Sequence, residues 1–82
     1  MDYAIITLIF ASKLSLDMEL PLKIKISELT VLILTTLKQM DYGRFARLNS
    51  IKLQYNEKQL DPNATLEQYG VWDGSYLTVI EN

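Results

Sequence analysis

The chain has 82 residues, of which 49% are hydrophobic, and a formal net charge of −2. This length predicts one domain over residues 1–82 with a single small core, and the apolar content excludes intrinsic disorder. The chain has neither cysteine nor histidine, which excludes disulfides, thiolate metal sites and the usual general base, so we expect no cofactor and no metal.

The first two predicted elements are strands of a hairpin. Residues 3–10 are rich in β-branched and aromatic side chains, and apolar residues on both faces predict a central strand. From Leu16 to Ile26, apolar residues alternate with polar residues and Pro21, which predicts a strand with one buried and one wet face. Because proline has no N–H to donate, we expect this second strand to lie at the sheet edge or to end at Pro21.

The apolar run over residues 3–11 does not predict a membrane segment. Its nine residues are too few for a spanning helix, which needs ~20, and no basic segment precedes it, so we expect no signal peptide. The lysines and arginines are scattered, which argues against a nucleic-acid interface. We therefore expect a cytoplasmic protein without direct membrane insertion.

The next predicted element is a helix over residues 27–40. Ser27 is the predicted N-cap, Glu28 suits the positive end of the helix dipole, and Gly43 is the predicted stop signal. Several β-branched residues here are weak helix formers, but the length and an apolar stripe favour helix. The stripe consists of Ile26, Leu29, Ile33, Leu37 and Met40.

Two further apolar residues of this helix fall outside the stripe. Steps of 100° place Val31 near the opposite side and Leu34 at the flank. They are either tolerated surface residues, which are common, or residues that contact a protein partner or a second copy in a weak homo-oligomer.

The second half of the chain predicts two more strands, a short return strand and a compact connection. The predicted elements are a strand (51–55), a turn (56–57), a return strand (58–60), a turn (61–63), a helical turn within 64–69, a turn (72–74) and a last strand (75–80). Gly70 indicates a backbone conformation that other residues resist. The last strand must enter between strands already formed, and Leu66 and Tyr69 anchor the connection that brings it there.

The stretch IKLQYNEKQLDPNATLEQYGVWDGSYLTVI resembles the second half of ubiquitin. The resemblance implies an α+β, ubiquitin-like β-grasp fold, with a mixed four- to five-stranded sheet and one helix packed across it. It also implies that Leu66 is a core anchor and that the Tyr69 hydroxyl bonds nearby backbone. On the open face of the sheet, it implies a mostly polar surface with Lys52, Gln54, Thr78 and Ile80 pointing outward.

The resemblance does not extend to the function of ubiquitin. Ubiquitin is conjugated through a flexible arm that ends in Gly-Gly, whereas this sequence runs Ile80-Glu81-Asn82 directly after the last predicted strand. We therefore expect that it is neither conjugated nor a sulfur carrier. Gln54 stands at the position of an isoleucine at the centre of ubiquitin's recognition patch, so receptors of that patch are not expected to bind.

A free-standing ubiquitin-like protein of this kind resembles the EsaB/YukD family of Gram-positive bacteria. The supporting features are Leu20-Pro21-Leu22-x-Ile24-x-Ile26 before the helix and Tyr-Gly-Val-Trp-Asp-Gly-Ser-Tyr-Leu before the last strand. The resemblance implies an accessory or regulatory component of a type VII secretion system, with protein partners among cytoplasmic parts of the apparatus. The alternatives are a small ubiquitin-like subunit of a multicomponent enzyme, such as a diiron monooxygenase, and a ubiquitin-like adaptor in another pathway.

Candidate functional residues are therefore sought on the surface. Asp17 and Glu19 share one strand face, but paired carboxylates do acid–base chemistry only in a cleft that separates their pKa values, so we predict a solvated face and no enzyme. Trp72 is either a binding residue, since aromatic side chains are enriched at hot spots, or a cap on the core edge. The candidate interaction residues are Val31, Leu34, Gln54, Trp72, Thr78 and Ile80.

Overall fold

The computed structural model describes residues 2–81 and contains a five-stranded mixed sheet in the order β2-β1-β5-β3-β4. One main helix packs against one face of this sheet. The elements in chain order are β1 (Tyr3–Phe10), β2 (Ser15–Pro21), α1 (Ile26–Met40), α2 (Tyr42–Phe45), β3 (Ile51–Tyr55), β4 (Lys58–Gln59), a 3₁₀ turn (Glu67–Tyr69) and β5 (Tyr76–Glu81).

The β1–β2 hairpin has the predicted position, and β2 is an edge strand that ends at Pro21. β1 lies inside the sheet, between β2 and β5, so the prediction of a central strand is confirmed, but mainly one of its two apolar faces is buried. Ala4 and Ile6 are buried, whereas Tyr3 and Ile5 are each 54% exposed. The physical reason is that the helix covers a single face, and period two sends alternate side chains of β1 to the other.

Helix α1 begins without the predicted side-chain cap. Its N-cap is Lys25, and no side chain bonds the first amides, so the assignment of Ser27 as N-cap is wrong. The amide of Ile26 donates to the carbonyl oxygen of Ala64 at 2.8 Å, and the amide of Ser27 donates to that of Pro62 at 3.0 Å. Carbonyl groups of the later connection therefore satisfy donors that a cap would otherwise satisfy.

The end of α1 also differs from the prediction. Asp41 leaves the helical region with φ −153°, and its carboxylate accepts the amide of Arg44 at 3.2 Å, which starts α2. Gly43 lies inside α2 and is not the stop signal. Met40 is 56% exposed, so it does not belong to the buried stripe, while the other four stripe residues are buried as predicted.

The connection between β4 and β5 is anchored as predicted. Leu66 has no exposed surface, and the hydroxyl of Tyr69 accepts the amide of Asp61 at 2.8 Å. Gly70 has φ 73°, in the left-handed region that favours glycine. Asn56 and Glu57, in the turn before β4, have φ values of 52° and 67°.

The last strand enters the middle of the sheet as predicted. β5 pairs in parallel with β1, where Thr7 lies opposite Tyr76, and antiparallel with β3, where Leu53 lies opposite Val79. The carboxylate of Asp73 accepts the amide of Ile5 at 2.7 Å, although the two residues lie 68 positions apart. The predicted blunt end at Asn82 lies outside the described residues.

Candidate protein-interaction surfaces

The sheet face turned away from α1 carries large apolar side chains in an exposed position. Tyr3 and Ile5 of β1 are 54% exposed, and Tyr76 of β5 is 63% exposed. Thr7 lies between Ile5 and Tyr76 on this face. It is the next residue after Ile5 on the same side of β1, and it pairs with Tyr76 in the parallel register of β1 and β5. We call Tyr3, Ile5 and Tyr76 the open-face patch, which contradicts the expectation of a mostly polar face.

Three predicted interaction residues lie together beside this patch. Gln54 pairs with Thr78, and Lys52 pairs with Ile80, in the antiparallel register of β3 and β5. Thr78 and Ile80 are exposed, while Gln54 is half-buried. The fold therefore brings Gln54, Thr78 and Ile80 to one surface, directed as predicted.

The two interaction residues predicted on α1, Val31 and Leu34, differ in how far they are buried. Val31 is 63% exposed, but Leu34 is half-buried and packs against the core. Leu32, which sequence reasoning missed, is 42% exposed. Val31 and Leu32 are thus an adjacent exposed apolar pair on this helix, which also exposes Met40, and Leu34 contributes mainly to packing.

Trp72 lies near the start of β1, because the next residue, Asp73, accepts the amide of Ile5. It is 73% exposed, so it does not cap the core edge. With Ala4, Leu22 and Asp73 it lines a shallow surface depression of about 330 Å³. Its backbone is held by the Ser75 hydroxyl, which accepts the Trp72 amide at 3.1 Å.

An exposed ion pair joins Lys23 and Asp2, with Nζ and Oδ1 3.1 Å apart. The hydrogen bond, with the attraction between the charges, lowers the pKa of Asp2 and raises the pKa of Lys23. Any stabilisation from this pair is complete between the ordinary values of 3.8 and 10.5. It is lost as pH falls through the lowered pKa of Asp2 or rises through the raised pKa of Lys23. Because both side chains are exposed, the contribution is small.

The acidic residues of β2 lie on the solvated face. Asp17 and Glu19 are exposed, and the carboxylate of Asp17 accepts the Thr7 hydroxyl at 2.6 Å. Within residues 2–81, no group of three or more carboxylates is arranged to hold a metal ion. In the same part of the chain, no helix is long and apolar enough to cross a membrane.

Tyr3, Ile5 and Tyr76 were missed because each belongs to a strand with apolar residues on both faces. The sequence of β1 did contain a signal. Its even-numbered residues Ala4, Ile6 and Leu8 face the core, so its odd-numbered residues must face the other side of the sheet. What the sequence did not indicate is that nothing in residues 2–81 covers that second face.

Comparison with known families decides what kind of protein carries these surfaces. The model of the family described as "WXG100 protein secretion system (Wss), protein YukD" matches residues 3–79. The chain belongs to the YukD family. This match runs from the start of β1 into β5, so YukD membership extends over the helix and nearly all of the sheet. The predicted family is confirmed, and the chain is a secretion-related ubiquitin-like protein.

Solved structures confirm the fold of this YukD-family chain. The EccD5 ubiquitin-like domain from Mycobacterium xenopi is 18% identical, with a TM-score of 0.77 over 98% of this chain and 94% of that chain. The ubiquitin-like domain of the Mycobacterium tuberculosis type VII secretion system protein EccD1 is 17% identical, with a TM-score of 0.75 over 98% and 99%. Caldiarchaeum subterraneum ubiquitin is 21% identical, with a TM-score of 0.69 over 98% and 94%.

These TM-scores establish a shared ubiquitin-like β-grasp architecture, as predicted. Identities this low establish nothing about shared partners. No curated protein matches the chain.

Proposed function

We propose that this YukD-family protein is a non-enzymatic accessory or regulatory component of a type VII secretion system. It acts in the cytoplasm as one domain, is not conjugated to other proteins, and binds proteins of the secretion apparatus. The observation that carries this proposal is the open-face patch, which presents two tyrosines and an isoleucine on strands that hydrogen bonds hold in place.

The physical argument concerns rigidity and exposure together. Exposed aromatic side chains on regular strands lose little conformational entropy when a partner covers them, and tyrosine is enriched at binding hot spots. Tyr76 lies in a strand with neighbours on both sides, so its backbone is fixed before binding. The patch supports a protein interface of modest size.

The predicted residues Gln54, Thr78 and Ile80 would form the margin of the same interface. Gln54 and Thr78 supply hydrogen-bonding groups, and Ile80, which is 37% exposed, extends the apolar area along β5. Trp72 and the Val31–Leu32 pair are separate candidates, and Leu34 is the weakest because it is half-buried.

Affinity capture from the native cell tests the proposal. We expect the tagged protein to co-purify with proteins of the secretion apparatus and to form no covalent adduct detectable by mass spectrometry. The double variant Ile5→Thr with Tyr76→Thr keeps strand-forming residues and should reduce capture roughly tenfold, since it removes the centre of the interface.

The matched control is Tyr42→Thr, because Tyr42 is 69% exposed but lies in α2. It should leave capture unchanged. If the double variant, folded by circular dichroism, captured the same proteins as the unmodified chain, the open-face patch would not be the interface. If no captured protein belonged to the secretion apparatus, the proposed function itself would be wrong.

A further inference from the structure

Within residues 2–81, no strand lies beside the backbone groups at the outer edge of β2. The amide of Phe10 donates to Leu14, and the amide of Leu22 donates to Asp2. Because bonding directions alternate along an antiparallel strand, even-numbered residues of β2 bond to β1 and odd-numbered residues point outward. The outward amides are those of Ser15, Asp17 and Glu19, and Pro21 ends the row because it has no N–H.

An apolar groove runs beside this edge, on the helix side of the sheet. Leu14 and Leu16 line a depression of about 300 Å³ together with Met40, Asp41, Arg44 and Phe45. Met18 continues the same side of β2 and is half-buried. On α1, Leu32 lies eight positions before Met40, on the same i, i+4 row, and both are exposed.

The charges around the groove are uneven. At the end nearest the β1–β2 turn, Lys13, Arg44 and Arg47 line adjoining depressions, where the carboxylates are Asp41 and Glu81. The single ion pair described between residues 2 and 81 involves none of these three cations. Cationic charge therefore exceeds anionic charge at this end.

On the open-face side of β2 the excess is negative, because Asp17 and Glu19 are both exposed there. A segment placed along β2 would thus meet apolar side chains on one face, carboxylates on the other and cations at one end. This pattern specifies the chemistry of an occupant.

We propose that β2 accepts an extended segment of a partner protein as a sixth strand of the sheet. Alternate apolar side chains of that segment enter the groove beside Leu16 and Met40. The intervening side chains are hydroxyl-bearing or basic, facing Asp17 and Glu19. An acidic end lies against Arg44. Main-chain hydrogen bonds supply affinity, and the alternating contacts supply specificity.

The charges also argue against a second copy of this chain as the occupant. Antiparallel pairing of two β2 strands about a two-fold axis would set the Asp17 and Glu19 side chains of one copy beside those of the other. Like charges opposite each other across strands are destabilising. This site differs from the open-face patch and does not depend on the proposed function.

A synthetic peptide tests the inference directly. The probe is a fluorescein-labelled peptide of sequence Lys-Val-Thr-Val-Lys-Val-Asp-Glu-Glu, which places its acidic end beside Arg44 when it pairs antiparallel with β2. Binding is measured by fluorescence anisotropy with the full chain. Amide NMR spectra of the titrated protein should show the amides of Ser15, Asp17 and Glu19 becoming protected from solvent exchange.

Two variants examine the backbone and the charge separately. Ser15→Pro removes an outward donor without changing the charge and leaves the β1–β2 ladder intact, since proline is tolerated on an edge. Arg44→Glu reverses the charge at the acidic end. Each should weaken peptide binding by roughly tenfold. Lys52→Glu, on β3, is the matched control for charge and should leave affinity unchanged.

Four results would overturn the inference. The first is no binding of the probe at millimolar peptide, and the second is equal binding of a scrambled peptide of the same composition. The third is spectral change at the open face or at β4 with the β2 amides unaffected. A dimer in sedimentation whose β2 amides are protected without peptide would also exclude it, because the edge would already be occupied.

Discussion

At the scale of single residues, burial rather than element type decides which side chains matter for stability. Leu66 belongs to an irregular connection, yet it has no exposed surface and its carbonyl oxygen accepts the amides of both Tyr69 and Val71. A side chain so placed packs like one in a strand or helix. The connection therefore contributes to the core, as the comparison with ubiquitin implied.

Replacing Leu66 by alanine should lower the free energy of unfolding by about 2–5 kcal/mol, because it leaves a cavity that the surrounding core fills only in part. Urea denaturation followed by circular dichroism measures the loss. Val31→Ala is the control: Val31 is 63% exposed in α1, and alanine favours helix, so stability should hold or rise slightly. A loss below about 0.5 kcal/mol for Leu66→Ala would contradict this packing.

The sequence predicted core residues better than surface residues. The stripe Ile26, Leu29, Ile33 and Leu37 follows from helical period alone and is fully buried. Periodicity failed for Met40, and it placed Leu34 at the flank without deciding how deeply that side chain is buried. Burial at these positions depends on how far the neighbouring strand and α2 reach, and no local pattern encodes that distance. The open-face patch was missed for the same reason, since whether a second layer covers a sheet is a property of the whole chain.

At the scale of elements, distant parts of the chain complete one another. The amides that begin α1 donate to the carbonyl oxygens of Pro62 and Ala64, which belong to the connection between β4 and β5. That connection is itself held by the Tyr69 hydroxyl, which accepts the amide of Asp61. Strand positions could be predicted because alternation is local. The wrong assignment of Ser27 as N-cap shows the limit: the true partners lie more than thirty positions away, and the local capping signal is indistinguishable from a real one.

Removing the Tyr69 hydroxyl should loosen the connection without opening the core. Tyr69→Phe leaves the Asp61 amide without its acceptor at 2.8 Å, which we expect to cost about 0.5–1.5 kcal/mol. Hydrogen exchange of the Asp61 amide should accelerate markedly. Tyr42→Phe is the control, because no hydrogen bond to the exposed Tyr42 hydroxyl is described within residues 2–81. Unchanged protection of the Asp61 amide would mean that another group satisfies it.

At the scale of the whole molecule, β5 holds the two halves of the sheet together. It lies between β1 and β3, so within residues 2–81 the two halves of the sheet are hydrogen-bonded to each other only through β5. The sequence predicted this order only through the length of the connection and the resemblance to ubiquitin, because strand periodicity carries no information about neighbours.

Hydrogen exchange should therefore be slowest in β1 and β5. Releasing β5 breaks pairings on both sides and amounts to global unfolding, whereas β4 pairs with β3 alone and opens locally. Native-state exchange monitored by NMR should rank Leu77–Val79 well above Lys58–Gln59 in protection. Comparable protection of the two strands would indicate that the sheet opens as a single unit.

The central position of β5 also affects how the protein is made. Thr7 meets Tyr76 only after the whole segment between them has been synthesised, at about 5–20 residues per second in a growing polypeptide. Until residues 76–81 have left the ribosomal tunnel, β1 and β3 each lack a neighbour, so the nascent chain cannot close its sheet. Closure of the sheet is thus delayed until β5 has emerged, and before then both bare strand edges are exposed to chaperones and to other nascent chains.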